Sequence, residues 1–165
     1  MADRIVFREF GNDSLNLNGI YEYNNGDILF GDAVLSALIS SCSFIYISPD
    51  EAGNPRMQVI DGGNATGVID PITRMLKEGY AVLEWDKTKT FKVREAYFIP
   101  GEIHLLENGQ EVEVKQTPYK CIPLVPIIFR PSASRPFGHS RISRACMDYT
   151  ASAIRTIKRS EIGAE

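Results

Sequence analysis

The sequence lacks any apolar run long enough to cross a membrane. Its longest uninterrupted apolar runs, such as Phe44–Ile47, fall far short of the roughly 20 residues that a membrane-spanning helix requires. The first eight residues, Met-Ala-Asp-Arg-Ile-Val-Phe-Arg, carry charges where a secretory signal needs a continuous apolar segment. We therefore expect no membrane association and no export, and predict an intracellular chain at synthesis.

Cysteine is also scarce. The 165 residues include three, Cys42, Cys121 and Cys146, and no Cys-x-x-Cys pair. An odd number without that spacing fits neither a disulfide framework nor a zinc site. We predict reduced thiols that are mostly buried.

Only two histidines are present, and neither has the neighbours of a metal site. His104 could pair with Glu102, and His139 with Asp148, but neither pair has a third ligand at a suitable spacing. We therefore predict no bound metal and no other cofactor.

Signatures of catalysis are missing as well. No Gly-x-x-x-x-Gly-Lys-Ser/Thr motif is present, which excludes the common phosphate loop for ATP. Gly138-His139-Ser140 begins like the nucleophile motif of a hydrolase, but Ile142 stands where that motif requires a second glycine. Ser140 is better placed to cap a helix, and we predict that the chain is not an enzyme.

Periodic apolar stretches separated by turn residues predict an α+β fold. Asp27 can cap a helix that runs to Ser40 or Ser41, with Ile28, Ala33, Leu35, Leu38 and Ile39 at roughly helical spacing. We predict that this helix is buried and that these apolar residues face the core. Aromatic and β-branched alternation predicts a mainly antiparallel sheet packed by helices. The predicted strands cover residues 43–47, 57–60, 65–69, 80–85, 90–98, 103–106 and 112–115.

In the meander from Gly79 to Lys115, charged residues alternate with apolar ones, which predicts one wet sheet face. Lys92, Arg94 and Glu113 would lie on that face, and Phe91, Val93, Val112 and Val114 on the other. The prolines of Cys121–Phe129 forbid a helix and predict an edge strand or a buried extended crossing.

Charge is distributed unevenly along the chain. Residues 1–129 contain 11 Lys and Arg against 18 Asp and Glu, whereas residues 130–165 contain 7 against 3. We divide the chain into an α+β domain (1–129), a linker rich in proline, serine and arginine (130–138) and a C-terminal helix (139–165), which begins at about Ser140.

This C-terminal helix is predicted to be amphipathic. On a wheel at 100° per residue, one face is apolar within about 80°. It holds Ile142, Cys146, Tyr149, Ala153 and Ile157, and we name it the apolar stripe of the C-terminal helix. Arg144, Arg155, Lys158 and Arg159 group on the far side. That basic face is either a solvated surface or a surface for a polyanion, and any nucleic-acid contact would be to phosphates.

The order of these pieces resembles the central part of tailed-bacteriophage portal proteins. The likeness begins with Asp3-Arg4-Ile5, continues through Ala37–Ile47, the hairpin from Asp50 to Val59 and Asp70-Pro71-Ile72-Thr73, and is most specific near the C-terminus. That last part comprises Ile122-Pro123-Leu124-Val125-Pro126, Phe129-Arg130-Pro131, Phe137-Gly138-His139-Ser140-Arg141-Ile142 and the helix to Glu165. Many relatives have an acidic residue where this chain has Arg141.

The resemblance implies a noncatalytic virion subunit at one capsid vertex. Portal proteins form a homo-oligomeric ring, usually of twelve subunits, through which double-stranded DNA is packaged and ejected, and they contact terminase, scaffold and capsid proteins and head-tail connector proteins. The chain would be found in the virion, and in the host cytoplasm during assembly or encoded by a prophage. Because family members are about three times longer, we expect a truncated piece that holds the wing and the start of the stem helix.

Within that family, the helix residues acquire expected roles. Arg144, Arg155, Lys158 and Arg159 would face DNA or a neighbouring subunit, and Ile142, Cys146, Tyr149 and Ile157 would pack between subunits. Two other functions stay open on the sequence. One is a small hydrolase-type enzyme that uses His104 or His139, and the other is an interaction domain unrelated to phages.

Overall fold

The computed structural model describes residues 15–142 and 144–162, except for the side chains of residues 144, 161 and 162. Asp3-Arg4-Ile5, the first motif of the resemblance, lies outside the described residues. The described elements, in chain order, are α1 (Leu17–Tyr23), α2 (Gly26–Ser40), β1 (Cys42–Pro49), β2 (Pro55–Asp61), β3 (Ala65–Ile69), β4 (Leu76–Trp85), β5 (Lys92–Ile99), β6 (Glu102–Glu107), β7 (Gln110–Gln116), β8 (Leu124–Ile128) and α3 (Arg144–Ile162).

The fold is α+β and antiparallel, as the sequence predicts, but the strands form two sheets where we expected one. A three-stranded sheet has the order β2-β1-β8, and a five-stranded sheet has the sequential order β3-β4-β5-β6-β7. The predicted hairpin is β1 with β2, which pair from Ser43 opposite Asp61 to Pro49 opposite Pro55. The proline-containing run forms β8, an edge strand paired with β1.

The turn between β6 and β7 shows why the meander could be predicted from the sequence. Asn108 and Gly109 connect these strands with φ angles of 50° and 79°. Two consecutive positive φ values match the right-handed twist of a two-residue hairpin, and asparagine followed by glycine adopts them most readily. The dipeptide therefore fixes the reversal locally, and the strands on either side follow.

The three-stranded sheet lies in the middle of the molecule and is covered on both sides. Phe44 of β1 and Leu124 of β8 belong to the same buried cluster as Phe98 of the five-stranded sheet. On the opposite side, Ile45 of β1 packs with Leu29 and Ala33 of α2. Successive β1 side chains thus enter different buried layers, which is why this strand is apolar at consecutive positions.

Helix α2 presents a different face to the sheet from the one its large apolar residues indicate. Ala33 and Ala37 are buried, and the hydroxyl of Ser43 donates a 2.7 Å hydrogen bond to the carbonyl oxygen of Ala33. Ile28, Leu35 and Ile39 are instead 68%, 57% and 50% exposed, so the prediction that they face the core is wrong. The small side chains of Ala33 and Ala37 let α2 approach the sheet closely. Because apolar residues occur all round α2, its periodicity does not show which face is buried.

The N-terminal end of α2 also differs from the prediction. The cap position is Asn25, with a left-handed backbone and no side-chain cap hydrogen bond, and the helix starts at Gly26. Asp27 lies in the first turn, where its carboxylate accepts a 2.6 Å hydrogen bond from the hydroxyl of Tyr21. Tyr21 belongs to α1, a seven-residue helix in a stretch for which the sequence predicted no helix.

β7, the outer strand of the meander, is more exposed to solvent than the alternation of charged and apolar residues predicts. Every residue of β7 is exposed, including Val112 and Val114, and Phe91, just before β5, is 70% exposed. The prediction that Phe91, Val112 and Val114 lie on a covered face of the sheet is therefore wrong. The strand lies at the edge of the sheet, where the alternation of residue types continues beyond the layer that could cover it.

Candidate nucleic-acid and subunit interface

The C-terminal helix is confirmed, and it is exposed on both predicted faces. It runs from Arg144 to Ile162. Within residues 145–160, Ala151 is half-buried and the others are exposed. Tyr149 and Ile157 of the apolar stripe are 79% and 57% exposed. The stripe therefore does not pack on the sheets, and it is accessible to another molecule.

The basic face of α3 is equally accessible. Arg155, Lys158 and Arg159 are exposed, and within the described part of the chain no acidic side chain lies within ion-pair distance of them. The helix starts at Arg144, whose side chain lies outside the described residues. Lys158 and Arg159 are near the carboxyl end of the helix, where the helix dipole favours positive charge.

The segment that leads into α3 is anchored to the end of α2. The hydroxyl of Ser140 donates a 2.5 Å hydrogen bond to the carbonyl oxygen of Ile39, and the backbone N–H of Arg141 donates one of 2.8 Å to that of Leu38. Carbonyls in the last turn of a helix have no partner within it. These two bonds therefore satisfy two of the terminal carbonyls of α2 and anchor residues 140 and 141, just before α3, to the body.

Ser140 consequently has a different role from the predicted helix cap. Its oxygen accepts a 3.0 Å hydrogen bond from the backbone N–H of Ile142, a local turn, and α3 begins only at Arg144. Ile142 is 41% exposed and precedes the helix. The serine thus connects the C-terminal segment to the body instead of starting the helix.

The chain between β8 and α3 reverses sharply against the three-stranded sheet. Gly138 has a φ of 78°, and a Cβ added there would lie 2.1 Å from the carbonyl oxygen of Phe129. That oxygen accepts a hydrogen bond from the N–H of His139, and the ring of Phe137 packs at 6.0 Å from that of Phe44. Only glycine fits this approach, and it holds residues 137–139 on the body.

His104, one candidate for a catalytic role, is held between two carboxylates on the five-stranded sheet. Its Nδ1 lies 2.7 Å from an Oε atom of Glu111, and its Nε2 lies 3.4 Å from one of Glu102. The hydrogen bond with Glu111, more than any other contact, raises the pKa of His104 above its ordinary value. Because both ring nitrogens are engaged, the arrangement fits a charged structural contact better than a general base.

His139, the other candidate, faces a serine at a long distance. Its Nε2 lies 3.4 Å from the hydroxyl oxygen of Ser132, which also accepts a 3.2 Å hydrogen bond from the backbone N–H of Arg135. A histidine that activates a serine nucleophile lies about 2.6 to 3.2 Å from it. The contact is that of a loop held together by polar side chains.

The cysteine prediction holds for one residue of three. Cys42 is buried, which raises the pKa of its thiol. Cys121 and Cys146 are exposed thiols, so the prediction of mostly buried thiols is wrong. The reason is that both lie outside the sheet core, one before β8 and the other on α3.

The sequence did not single out a second apolar surface, on the outer side of α2. Ile28, Leu35 and Ile39 lie there with Asp32 between them. We name these four residues the outer stripe of α2. The spacing of four, three and four residues is the sequence pattern that could have identified this surface. The same pattern is also typical of a face that packs on the core.

Searches for other kinds of site and for related proteins add no assignment. Across residues 15–142 and 144–162, no group of three or more His, Cys, Asp or Glu side chains could hold a metal ion. No helix in the described part of the chain is long and apolar enough to span a membrane. Comparison with known protein families and with curated proteins finds no match.

Proposed function

We propose that the chain is a structural subunit of a tailed-phage portal ring, which forms the channel for double-stranded DNA at one capsid vertex. The proposal starts from the motif order of the sequence, above all the run from Phe137 to Ile142 and the helix that follows it. In this assignment residues 1–129 form the wing and α3 is the start of the stem. Terminase, scaffold, capsid and connector proteins are the partners of the ring.

The observation that carries the proposal is the exposure of α3 on both of its faces. A solitary amphipathic helix with a 79% exposed tyrosine and a 57% exposed isoleucine loses the stabilisation that burial of these side chains would give. Such exposure is typical of a surface that another molecule covers. In a ring, neighbouring subunits would cover the apolar stripe while the basic face stays accessible.

The charge on α3 is suited to a channel through which DNA slides. Basic side chains attract phosphates without reading bases, and salt screens that attraction. Arg155, Lys158 and Arg159 supply three such charges, and Arg144, at the start of the helix, supplies a fourth in the sequence. A small number of exposed charges binds DNA weakly, which allows it to move. Contact of Arg155 and Arg159 with a neighbouring subunit is the alternative role for these two residues.

Analysis of purified particles tests the proposal. We suggest isolating DNA-filled particles from the organism that encodes the chain and quantifying its copies by mass spectrometry against a labelled standard. A portal subunit should be present at one ring per particle, usually twelve copies, and the major capsid protein in large excess. Absence of the chain from DNA-filled particles, or a copy number equal to that of the capsid protein, would overturn the assignment.

A further inference from the structure

We infer that the outer stripe of α2 binds the apolar stripe of α3 from a second copy of this chain, with the two helices antiparallel. The inference deepens the proposed ring by naming the surfaces that meet between neighbours, and to that extent it rests on the proposed function. Each chain would use α2 toward one neighbour and α3 toward the other, a heterologous contact that can propagate from subunit to subunit.

Both stripes have the spacing of helices that pack side by side. On α2 the residues are Ile28, Asp32, Leu35 and Ile39, separated by four, three and four positions. Within α3 the apolar stripe comprises Cys146, Tyr149 and Ala153, separated by three and four positions, and ends at Ile157. Alternation of three and four residues is the seam pattern of paired helices. Both seams are present on one chain, and both are exposed.

The outer stripe also borders a groove that could receive a helix. This groove, of about 480 Å³, lies between α2 and β2, where Leu35 and Ile39 face Val59, and Asp32 and Asp61 are at its margin. The carboxylate of Asp61 is already bound by the hydroxyls of Ser36 and Ser40. The carboxylate of Asp32 has no hydrogen bond or ion pair with any described residue, so it is the polar group that an incoming helix must match.

The position of Asp32 favours the antiparallel direction. In that direction Asp32 lies opposite Tyr149, whose hydroxyl can donate to the carboxylate, while Leu35 lies opposite Cys146 and Ile28 opposite Ala153. A parallel pairing places Asp32 against Cys146 and leaves the tyrosine hydroxyl against Leu35. A single polar residue in an apolar helix seam commonly sets its register.

Charge along the two helices supports the same direction. Between residues 15 and 40 the charged residues are Glu22, Asp27 and Asp32, all acidic. From residue 149 to residue 160 they are Arg155, Lys158 and Arg159, all basic. Antiparallel pairing places the basic half of α3 alongside the acidic, N-terminal half of α2, with the basic side chains on the face away from the seam. Parallel pairing would bring it toward Arg141, beside the C-terminus of α2.

The partner is a second copy because the chain holds α3 away from its own α2. The bonds from Ser140 and Arg141 to Ile39 and Leu38 attach the start of α3 beside the end of α2. From that root the helix extends with its stripe exposed, and the outer stripe of the same chain is exposed as well. The two stripes therefore match in spacing and polarity, and none of the described residues covers either of them.

Disulfide trapping tests the pairing with the native thiol of Cys146. In a Cys121→Ser background, Leu35→Cys places a second exposed thiol opposite Cys146 in the antiparallel register. Mild oxidation of the full chain, followed by a non-reducing gel, should give a ladder of dimers, trimers and longer species. A head-to-tail contact extends in this way because each chain carries one cysteine on each surface, whereas Cys146 bonded to Cys146 stops at a dimer.

Two matched variants control the experiment. Ile72→Cys replaces an 89% exposed isoleucine in the β3–β4 turn, and its ladder should be at least about tenfold weaker, since docking raises the local concentration of the matched thiols. The ladder of Asp32→Cys should also be weaker than that of Leu35→Cys. An intramolecular disulfide in Leu35→Cys, a ladder no stronger than that of Ile72→Cys, or a stronger ladder in Asp32→Cys would overturn the inference.

The outcome is separable from that of the proposed function. A ladder in the purified chain, together with absence of the chain from DNA-filled particles, would leave the helix pairing standing and reject the portal assignment. Absence of a ladder, together with one ring of copies per particle, would reject the helix pairing and leave the portal assignment standing. Circular dichroism of each variant before oxidation establishes that the sheets are intact.

Discussion

The backbone N–H of Arg141 donates a 2.8 Å hydrogen bond to the carbonyl oxygen of Leu38, which joins the C-terminal segment to the last turn of α2. With the neighbouring bond from Ser140 to Ile39, it makes α3 begin at a defined place on the body. The helix is thus fixed at its root and exposed along its length. Both proposals depend on this combination, because a loosely tethered helix could not present its faces in a fixed direction.

Replacing Ser140 with alanine should loosen the root of α3. The substitution removes a hydrogen bond to Ile39 and another from the N–H of Ile142, and we expect a loss of about 1 kcal/mol in the free energy of unfolding. Hydrogen exchange of the amides at residues 141 and 142 should also accelerate. Urea unfolding and exchange mass spectrometry measure these effects. Ser134→Ala, at an exposed loop serine, is the control and should change stability by less than about 0.5 kcal/mol.

The ion pair of His104 with Glu111 predicts a dependence of stability on pH. Because the pKa of His104 is raised in the folded protein, protonated His104 stabilises the fold. This contribution is fully present below the unfolded pKa of about 6.5 and is lost as pH rises through the raised folded value. The difference in urea midpoint between wild type and His104→Gln should therefore be larger at pH 6 than at pH 9.

Glu111→Gln provides the matched test of that pH dependence, since it removes the largest cause of the shift. Like His104→Gln, it should lower the urea midpoint relative to wild type more at pH 6 than at pH 9. The double variant should lose little more than either single one, because the two substitutions break the same contact. An equal effect of His104→Gln at both pH values would show that the charge of His104 does not contribute.

The packing of the two sheets on each other predicts a large cost for truncating Phe98. Its side chain is fully buried, and its ring lies 5.4 Å from that of Tyr46 across the sheets. Phe98→Ala should lower the free energy of unfolding by about 3 to 5 kcal/mol. Phe91→Ala, the same change at a 70% exposed position, should cost less than about 0.5 kcal/mol. Similar losses in both variants would contradict the assigned core.

The basic face of α3 predicts weak, salt-sensitive binding of duplex DNA. At physiological salt we expect little or no binding by the isolated chain. At low salt the logarithm of affinity should fall against the logarithm of salt concentration with a slope of about −3 or shallower, as three phosphate contacts give. Fluorescence anisotropy with two unrelated duplexes measures this and should show no sequence preference.

Variants of the same charge change distinguish α3 from the rest of the surface. Replacing Arg155, Lys158 and Arg159 together with glutamine should abolish the low-salt binding. Replacing Lys87, Lys89 and Lys120, three exposed lysines outside α3, with glutamine should leave most of it. Tight binding at physiological salt, or equal losses in both variants, would argue against a channel that DNA slides through.

The sheets could be predicted because their signals are local. Asn108 with Gly109 defines a hairpin turn by the φ angles that these residues adopt, and alternation of side chains defines the strands around it. The buried face of α2 depended on a distant partner. Ala33 contacts the sheet and Ile28 does not, because the close approach of helix and strand at Ser43 requires a small side chain. No spacing within α2 contains that information.

The candidate interface was predictable in part for the same reason. Amphipathicity of α3 follows from its own residues, so its basic and apolar faces were evident from Tyr149, Arg155 and Ile157 alone. Whether anything covers those faces is a tertiary property. The role of Ser140 also needed the fold, since its partner Ile39 lies about a hundred positions away in the sequence.

The most direct measurement of the central claim is the position of the chain in the assembled particle. Antibody fragments against the exposed β6–β7 hairpin can be bound to portal-containing procapsids opened at the vertices and imaged by cryo-electron microscopy without imposed symmetry. The account predicts label at a single vertex, arranged around the channel through which DNA enters. Label spread over all vertices or over the capsid faces, or confined to material outside the particles, would contradict it.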